Sequence, residues 1–186
     1  MSNVKNIVSS WPEKIQNHLT QNGTEKARRA IEELKKTCAE QGKNIDLIFA
    51  SDLDRTKETA EIASALLGVK PEYDKRLREI GFGVFNSGPA EKFENYFKNQ
   101  TDRINQGAPE GENYTDVLKR VSEFLEEINN KYKDLPAQAG KNILIISHQA
   151  PLFLLEGYMR GFSIAETLKN FPDEKMLNKA ELREIN

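Results

Sequence analysis

A chain of 186 residues, 38% hydrophobic and 30% charged, has the length and polarity of a single globular domain rather than a disordered or fibrous chain. Lys and Arg total 27 against 29 Asp and Glu, so a net charge of -2 leaves no basic surplus for nucleic acid or an anionic membrane surface. The single cysteine, Cys38, excludes an internal disulfide framework and suits a reducing compartment. The longest apolar run, Ile143 to Ile146, falls far short of the roughly 20 residues needed to span a bilayer. Met1-Ser2-Asn3-Val4-Lys5 lacks the pattern of a signal peptide. The expectation is a cytoplasmic protein with no membrane or nucleic-acid partner and an open oligomeric state.

Residues Met1 to Gln16 carry no strong strand signal. Ala27, Ala30, Ile31 and Leu34 then recur at helical spacing, and Gly42 ends that element. Asp46 to Ala50 is a continuous apolar strand, followed almost directly by a helix carrying Ala60, Ala63 and Leu67. Residues 77–111, with glycines, Pro89, Pro109 and a short Phe93-to-Phe97 helix, read as an insertion over one end of the sheet. Val117, Val121, Phe124, Leu125 and Ile128 mark a third helix, expected to be the longest. Asn142 to Ile146 is a second buried strand, and Leu152, Leu155 and Met159 line a fourth helix. Ala180 to Ile185 is expected to close the sheet as an edge strand. Unbroken apolar strands alternating with helices predict an α/β three-layer sandwich around a mostly parallel sheet.

In such a sheet, ligands gather at the carboxyl ends of the strands. One strand delivers Ser51-Asp52-Leu53-Asp54-Arg55 to that edge, and the other delivers Ser147-His148-Gln149. Two helix N-termini with free N–H groups, the guanidinium fork of Arg55, and a histidine that can be charged near neutral pH together suit a phosphate. An arginine in a first helical turn is ordinarily a solvated surface residue, so the residues alone reach no further than a phosphate-binding α/β protein. His18 reads as a surface residue. No Gly-rich phosphate loop follows a strand, Ser147 sits in no nucleophile elbow, and two separated histidines with one cysteine make no usual zinc site; no cofactor or metal is expected.

The segment Ser51-Asp52-Leu53-Asp54-Arg55-Thr56-Lys57-Glu58-Thr59-Ala60 resembles the Ser-x-Leu-x-Arg-x-x-x-Thr-Ala segment of the histidine phosphatase (phosphoglycerate mutase-like) superfamily. Leu19-Thr20-x-x-Gly23 is similar to its first-helix signature, Leu77-Arg78-Glu79-Ile80-x-Phe82-Gly83 to its acid loop, Gly111-Glu112-Asn113 to the start of its long helix, and Ser147-His148 to its second catalytic histidine. The motifs stand in family order over nearly the whole chain. The resemblance implies a phosphomonoesterase, of broad specificity or for sugar phosphates, working through phosphohistidine. It implies that Arg55 and His148 clamp phosphoryl oxygens, with Asn3 and Gln149 beside them, and that Glu79 protonates the leaving oxygen.

The family's Arg-His-Gly nucleophile motif is absent, and Gln149 and Asn86-Ser87 replace its usual glycine and Glu-Gly. Asn3 matches the asparagine that follows that motif, so the chain is expected to be an N-terminally truncated domain whose first central strand is missing and which is inactive as given. The alternative expectation is a pseudo-phosphatase that holds phosphate or a protein partner.

Overall fold

Three parallel strands carry the fold, and their order places both candidate loops at one edge. The computed structural model describes residues 7–13, 16–132, 141–172 and 179–185. Among them, β1 (Leu47–Ala50) lies between β2 (Pro71–Tyr73) and β3 (Ile143–Ile146). Ile48 stands opposite Pro71 on one side, and Leu47 to Ala50 pair residue by residue with Ile143 to Ile146 on the other. In that register Ser51 and Ser147 leave the sheet side by side, and Ser51 N–H donates to the Ile146 carbonyl at 3.0 Å.

Strand side chains alternate between faces, and the two faces bury different partners. Ile48 and Leu144 pack with Ile31 of α1 (Gln21–Glu40) and Ala63 of α2 (Asp54–Leu67). Phe49 points the other way, onto Phe124 and Ile128 of α4 (Tyr114–Tyr132). Phe49 and Phe124 meet edge to face at 5.4 Å, a geometry that adds about 0.5–1.5 kcal/mol to the burial of both rings. α5 (Gln149–Met159) lies against α4, and α6 (Ile164–Asn170) packs on α5. Helices on both faces of a parallel sheet make the three-layer α/β sandwich that the strand pattern predicts.

Local signals set the element ends. The Thr20 hydroxyl accepts from Gly23 N–H and caps α1, while Gly68 takes the left-handed conformation that ends α2, at φ 74°. Residues 77–111 turn back on themselves through Gly83. Its φ is 54°, and a Cβ there would stand 2.0 Å from the Pro109 carbonyl, so only glycine fits. Val84 N–H to Pro109 O and Glu112 N–H to Gly81 O close the turn. Phe82, Phe85, Phe93, Tyr96 and Phe97 form a run of tilted and edge-on ring contacts inside it.

Several expectations are corrected. α1 has 20 residues and α4 has 19, so α4 is not the longest helix. The short helix α3 is Ala90–Glu94, starting behind Pro89 and ending before Phe97. Residues 180–185 form no strand; side chains rather than a backbone ladder fasten them, with Arg183 on Glu156 at 2.8 Å and Lys43 on Glu184 at 3.2 Å. No helix among the described residues is long and apolar enough to cross a membrane.

Candidate active site

The loop after β1 turns into α2 at Leu53, and the loop after β3 turns into α5 at His148. Each delivers one side chain to a common point. Arg55 lies in the first turn of α2; its Nη2 donates to the Ser9 carbonyl at 3.1 Å and to His148 Nδ1 at 2.9 Å. His148 is only 7% exposed, and its other nitrogen, Nε2, lies 2.9 Å from Ser51 Oγ.

That arrangement fixes the tautomer. A guanidinium has no acceptor, so Nδ1 must be the unprotonated nitrogen, and Nε2–H donates to the serine hydroxyl. Burial first, and then the Arg55 and Arg120 cations, hold the imidazole well below its ordinary 6.5. His148 is therefore a neutral hydrogen-bonding group at neutral pH, not the chargeable one its residue type alone suggests.

Glu79 completes the cluster. Its Oε1 accepts from Ile80 N–H at 3.0 Å, and its carboxylate also takes the N–H of Ala150 in the first turn of α5. Burial raises its carboxyl above 4.5, more than these bonds and Arg55 lower it. Arg55 itself is lowered by burial, with Glu79 the strongest opposing charge. The acid loop is braced from α4: Arg120 pairs with Glu112 at 2.8 Å and donates to the carbonyls of Arg76 and Glu79, while Glu112 accepts Gly81 N–H. Arg78, next to Glu79, is tied by two bonds of 2.6 Å to Asp52, whose carboxyl it holds low. Both of these arginines are thus neutralised by their partners.

The sequence reading missed Glu13. Its Oε2 accepts from Asp54 N–H at the start of α2 at 3.2 Å, and its Oε1 lies 3.9 Å from Arg55 Nη1. Both helix N-termini at this edge therefore already hold a carboxylate, Glu13 on α2 and Glu79 on α5. The expected cationic cradle is instead a balanced cluster. A glutamate in a loop between apolar segments gives no signal of this in sequence.

Gln149, at the first position of α5, is exposed. It lines a cavity of about 100 Å³ together with Glu79, and Ile80, Phe82, Phe93, Tyr114 and Phe153 supply the apolar wall. Gln100 and Arg103 stand at the same cavity, and the Arg103 guanidinium sits 4.9 Å from the rings of both Phe93 and Phe97. Asn3 lies outside the described residues. The His18 side chain is 53% exposed and pairs with Glu58. No group of three or more His, Cys, Asp or Glu among the described residues is arranged to hold a metal ion.

A family model described as "Histidine phosphatase superfamily (branch 1)" matches residues 3–184. The chain belongs to the histidine phosphatase superfamily. A curated relative from Yersinia pestis, named "Probable phosphoglycerate mutase GpmB", is 32% identical over 119 residues, which is 61% of this chain and 53% of the relative. The chain thus spans about half the length of the curated relatives it matches. Among solved structures, the alpha-ribazole phosphatase from Shigella flexneri superposes with a TM-score of 0.73 at 23% identity, covering 97% of this chain and 82% of that one. A mycobacterial glucosyl-3-phosphoglycerate phosphatase gives 0.73 at 19% identity, covering 89% and 76%. Bacillus stearothermophilus YhfR gives 0.70 at 24% identity, covering 89% and 77%. These likenesses establish the histidine phosphatase fold for this chain.

Proposed function

We propose that the Arg55–His148–Glu79 cluster binds the phosphoryl group of a small phosphomonoester, a sugar phosphate being one such class, and that Glu79 is the acid for the leaving oxygen. The observation that carries this reading is the convergence of three residues from separate loops, 55, 79 and 148, at one sheet edge. Arg55 offers a planar fork for phosphoryl oxygens. His148, neutral, donates or accepts a hydrogen bond without adding charge. Glu79, its carboxyl raised by burial, is the group placed to give a proton to the departing alkoxide. The small aromatic cavity beside Glu79 and Gln149 receives the organic part of the substrate. The relatives' names, a probable phosphoglycerate mutase, a glucosyl-3-phosphoglycerate phosphatase and an alpha-ribazole phosphatase, support a small phosphomonoester as substrate class.

The phosphohistidine step needs an unencumbered imidazole nitrogen. Both nitrogens of His148 are engaged, one by Arg55 and one by Ser51, and His18 is turned to Glu58. The chain as it stands accordingly binds phosphate without turning it over, as a binding module would, and full activity belongs to a form that brings its own nucleophilic histidine to Arg55. The test is p-nitrophenyl phosphate hydrolysis measured alongside phosphate binding. The expected result is saturable phosphate binding, lost in Arg55→Met, with no turnover. Robust turnover that survives His148→Ala would overturn the assignment.

A further inference from the structure

Residues 7–13 form a strap across the site. Ile7 bridges Pro89 in antiparallel fashion, Val8 N–H donates to Gly88 O, and Ser87 N–H donates to Val8 O. Asn86, itself buried, donates from Nδ2 to the carbonyls of Ser10 and Pro12 and accepts Ser10 N–H. Ser10 Oγ in turn donates to the Glu79 carbonyl at 2.9 Å. This fastening delivers the Glu13 carboxylate to the two groups best suited to an incoming anion, the first N–H of α2 and the Arg55 guanidinium. The two facing atoms, Glu13 Oε1 and Arg55 Nη1, are buried 3.9 Å apart, and neither has a hydrogen-bond partner. Their geometry is that of an approximate substitute, close enough to balance charge and too far to satisfy either atom.

We propose that Glu13 is an internal competitor for the anion site: its carboxylate neutralises Arg55 and the start of α2 in the free protein, and a phosphate dianion binds by displacing it. This inference rests on the phosphate-site reading above. A dianion beside an undisplaced carboxylate would meet direct repulsion in a partly dry site, where charge interactions are weakly screened. With Arg78 and Arg120 tied to Asp52 and Glu112, Arg55 is the cation that Glu13 and the ligand both require. Phosphate affinity is therefore set by how firmly the strap is held, and Asn86 acts as its fastening.

Calorimetric titration with inorganic phosphate tests this on the whole chain, using wild type, Glu13→Gln, Asn86→Ala, Arg55→Met and the surface control Glu61→Gln. Glu13→Gln keeps an oxygen for Asp54 N–H but loses the charge, and should bind phosphate about tenfold more tightly, equivalent to about 1.4 kcal/mol. Asn86→Ala should tighten binding in the same direction by loosening the strap, and it decides the matter if Glu13→Gln does not fold. Glu61→Gln, which makes the same change in net charge on the exposed face of α2, should leave affinity at the wild-type value. Unchanged or weaker binding in both Glu13→Gln and Asn86→Ala, with Arg55→Met abolishing it, overturns the competitor role and leaves the phosphate site standing. Absence of phosphate binding in every variant overturns the site reading and this inference with it.

Discussion

Arg55 Nη2 donates to His148 Nδ1 across 2.9 Å, so the contact that holds the guanidinium in place adds to the burial that keeps the imidazole neutral. The first prediction follows from this coupling. His148 has a native pKa below its unfolded value of about 6.5. As pH falls below that value, the unfolded chain takes up a proton that the folded one refuses. Its contribution to stability is thus fully present above about 6.5 and is lost as pH drops towards the native pKa. Urea unfolding at pH 7.5 and pH 5 should show wild type losing on the order of 1–2 kcal/mol more than His148→Asn, which keeps an acceptor for Arg55. Glu79 works with the opposite sign, since its raised native pKa gives a contribution present below about 4.5 and lost as pH rises. It is common to both proteins and cancels in the comparison. Equal pH dependence in the two would sink the prediction.

Arg55 also anchors the strap through the Ser9 carbonyl. Replacing it by methionine removes two charge-assisted hydrogen bonds and takes from Glu13 and Glu79 a cation that offsets their charge. The expected cost is about 1–3 kcal/mol, read as a lower urea midpoint. Arg55→Lys should recover part of that stability but not phosphate binding, because an ammonium lacks the planar fork.

A second buried carboxylate lies further along α5. Glu156 is 1% exposed and takes bonds from Arg160 at 2.9 Å and Arg183 at 2.8 Å. Arg183 comes from the C-terminal segment, so this pair fastens that segment to α5. Glu156→Gln should destabilise by about 1–3 kcal/mol, below the 3–5 of a fully buried broken pair, because the freed arginines still reach water. Limited proteolysis should then cut near residues 179–185 sooner than in wild type.

How much of this the sequence revealed depended on whether the signal was periodic. Ile48, Phe49 and Leu144 announced their strands because both faces are buried, and the runs are apolar throughout. β2 went unseen: Pro71, Glu72 and Tyr73 are half-buried or exposed, too few and too polar to make a pattern. Ala180 to Ile185 was expected as a closing edge strand, yet the segment is held by Arg183 and Glu184 side chains, which periodicity cannot register. Arg55, Glu79 and His148 could be named because each follows a recognisable motif. Glu13 and Arg120 could not, since their roles arise only once the strap and α4 are folded against the acid loop.

The last prediction concerns the crossing of α5 over α6. A Cβ on Gly157 would stand 2.1 Å from Thr167 Oγ1 and 2.6 Å from its Cγ2, so the two helices touch through a glycine. Thr167 is 1% exposed, and its hydroxyl donates to the Ser163 carbonyl at 2.8 Å. It therefore cannot swing away without losing a part-buried hydrogen bond. Gly157→Ala gains helix propensity, worth about 1 kcal/mol, but forces the helices apart, and the overpacking cost of about 1–3 kcal/mol should win. Thr167→Ala removes both the hydroxyl and the methyl that the new Cβ would strike, while its own Cβ remains 2.8 Å away. The double variant should consequently be more stable than the sum of the single changes predicts, by about 1 kcal/mol, without reaching wild type. Urea denaturation of the four proteins measures this coupling, and strict additivity would mean that the helices relieve the clash by shifting elsewhere.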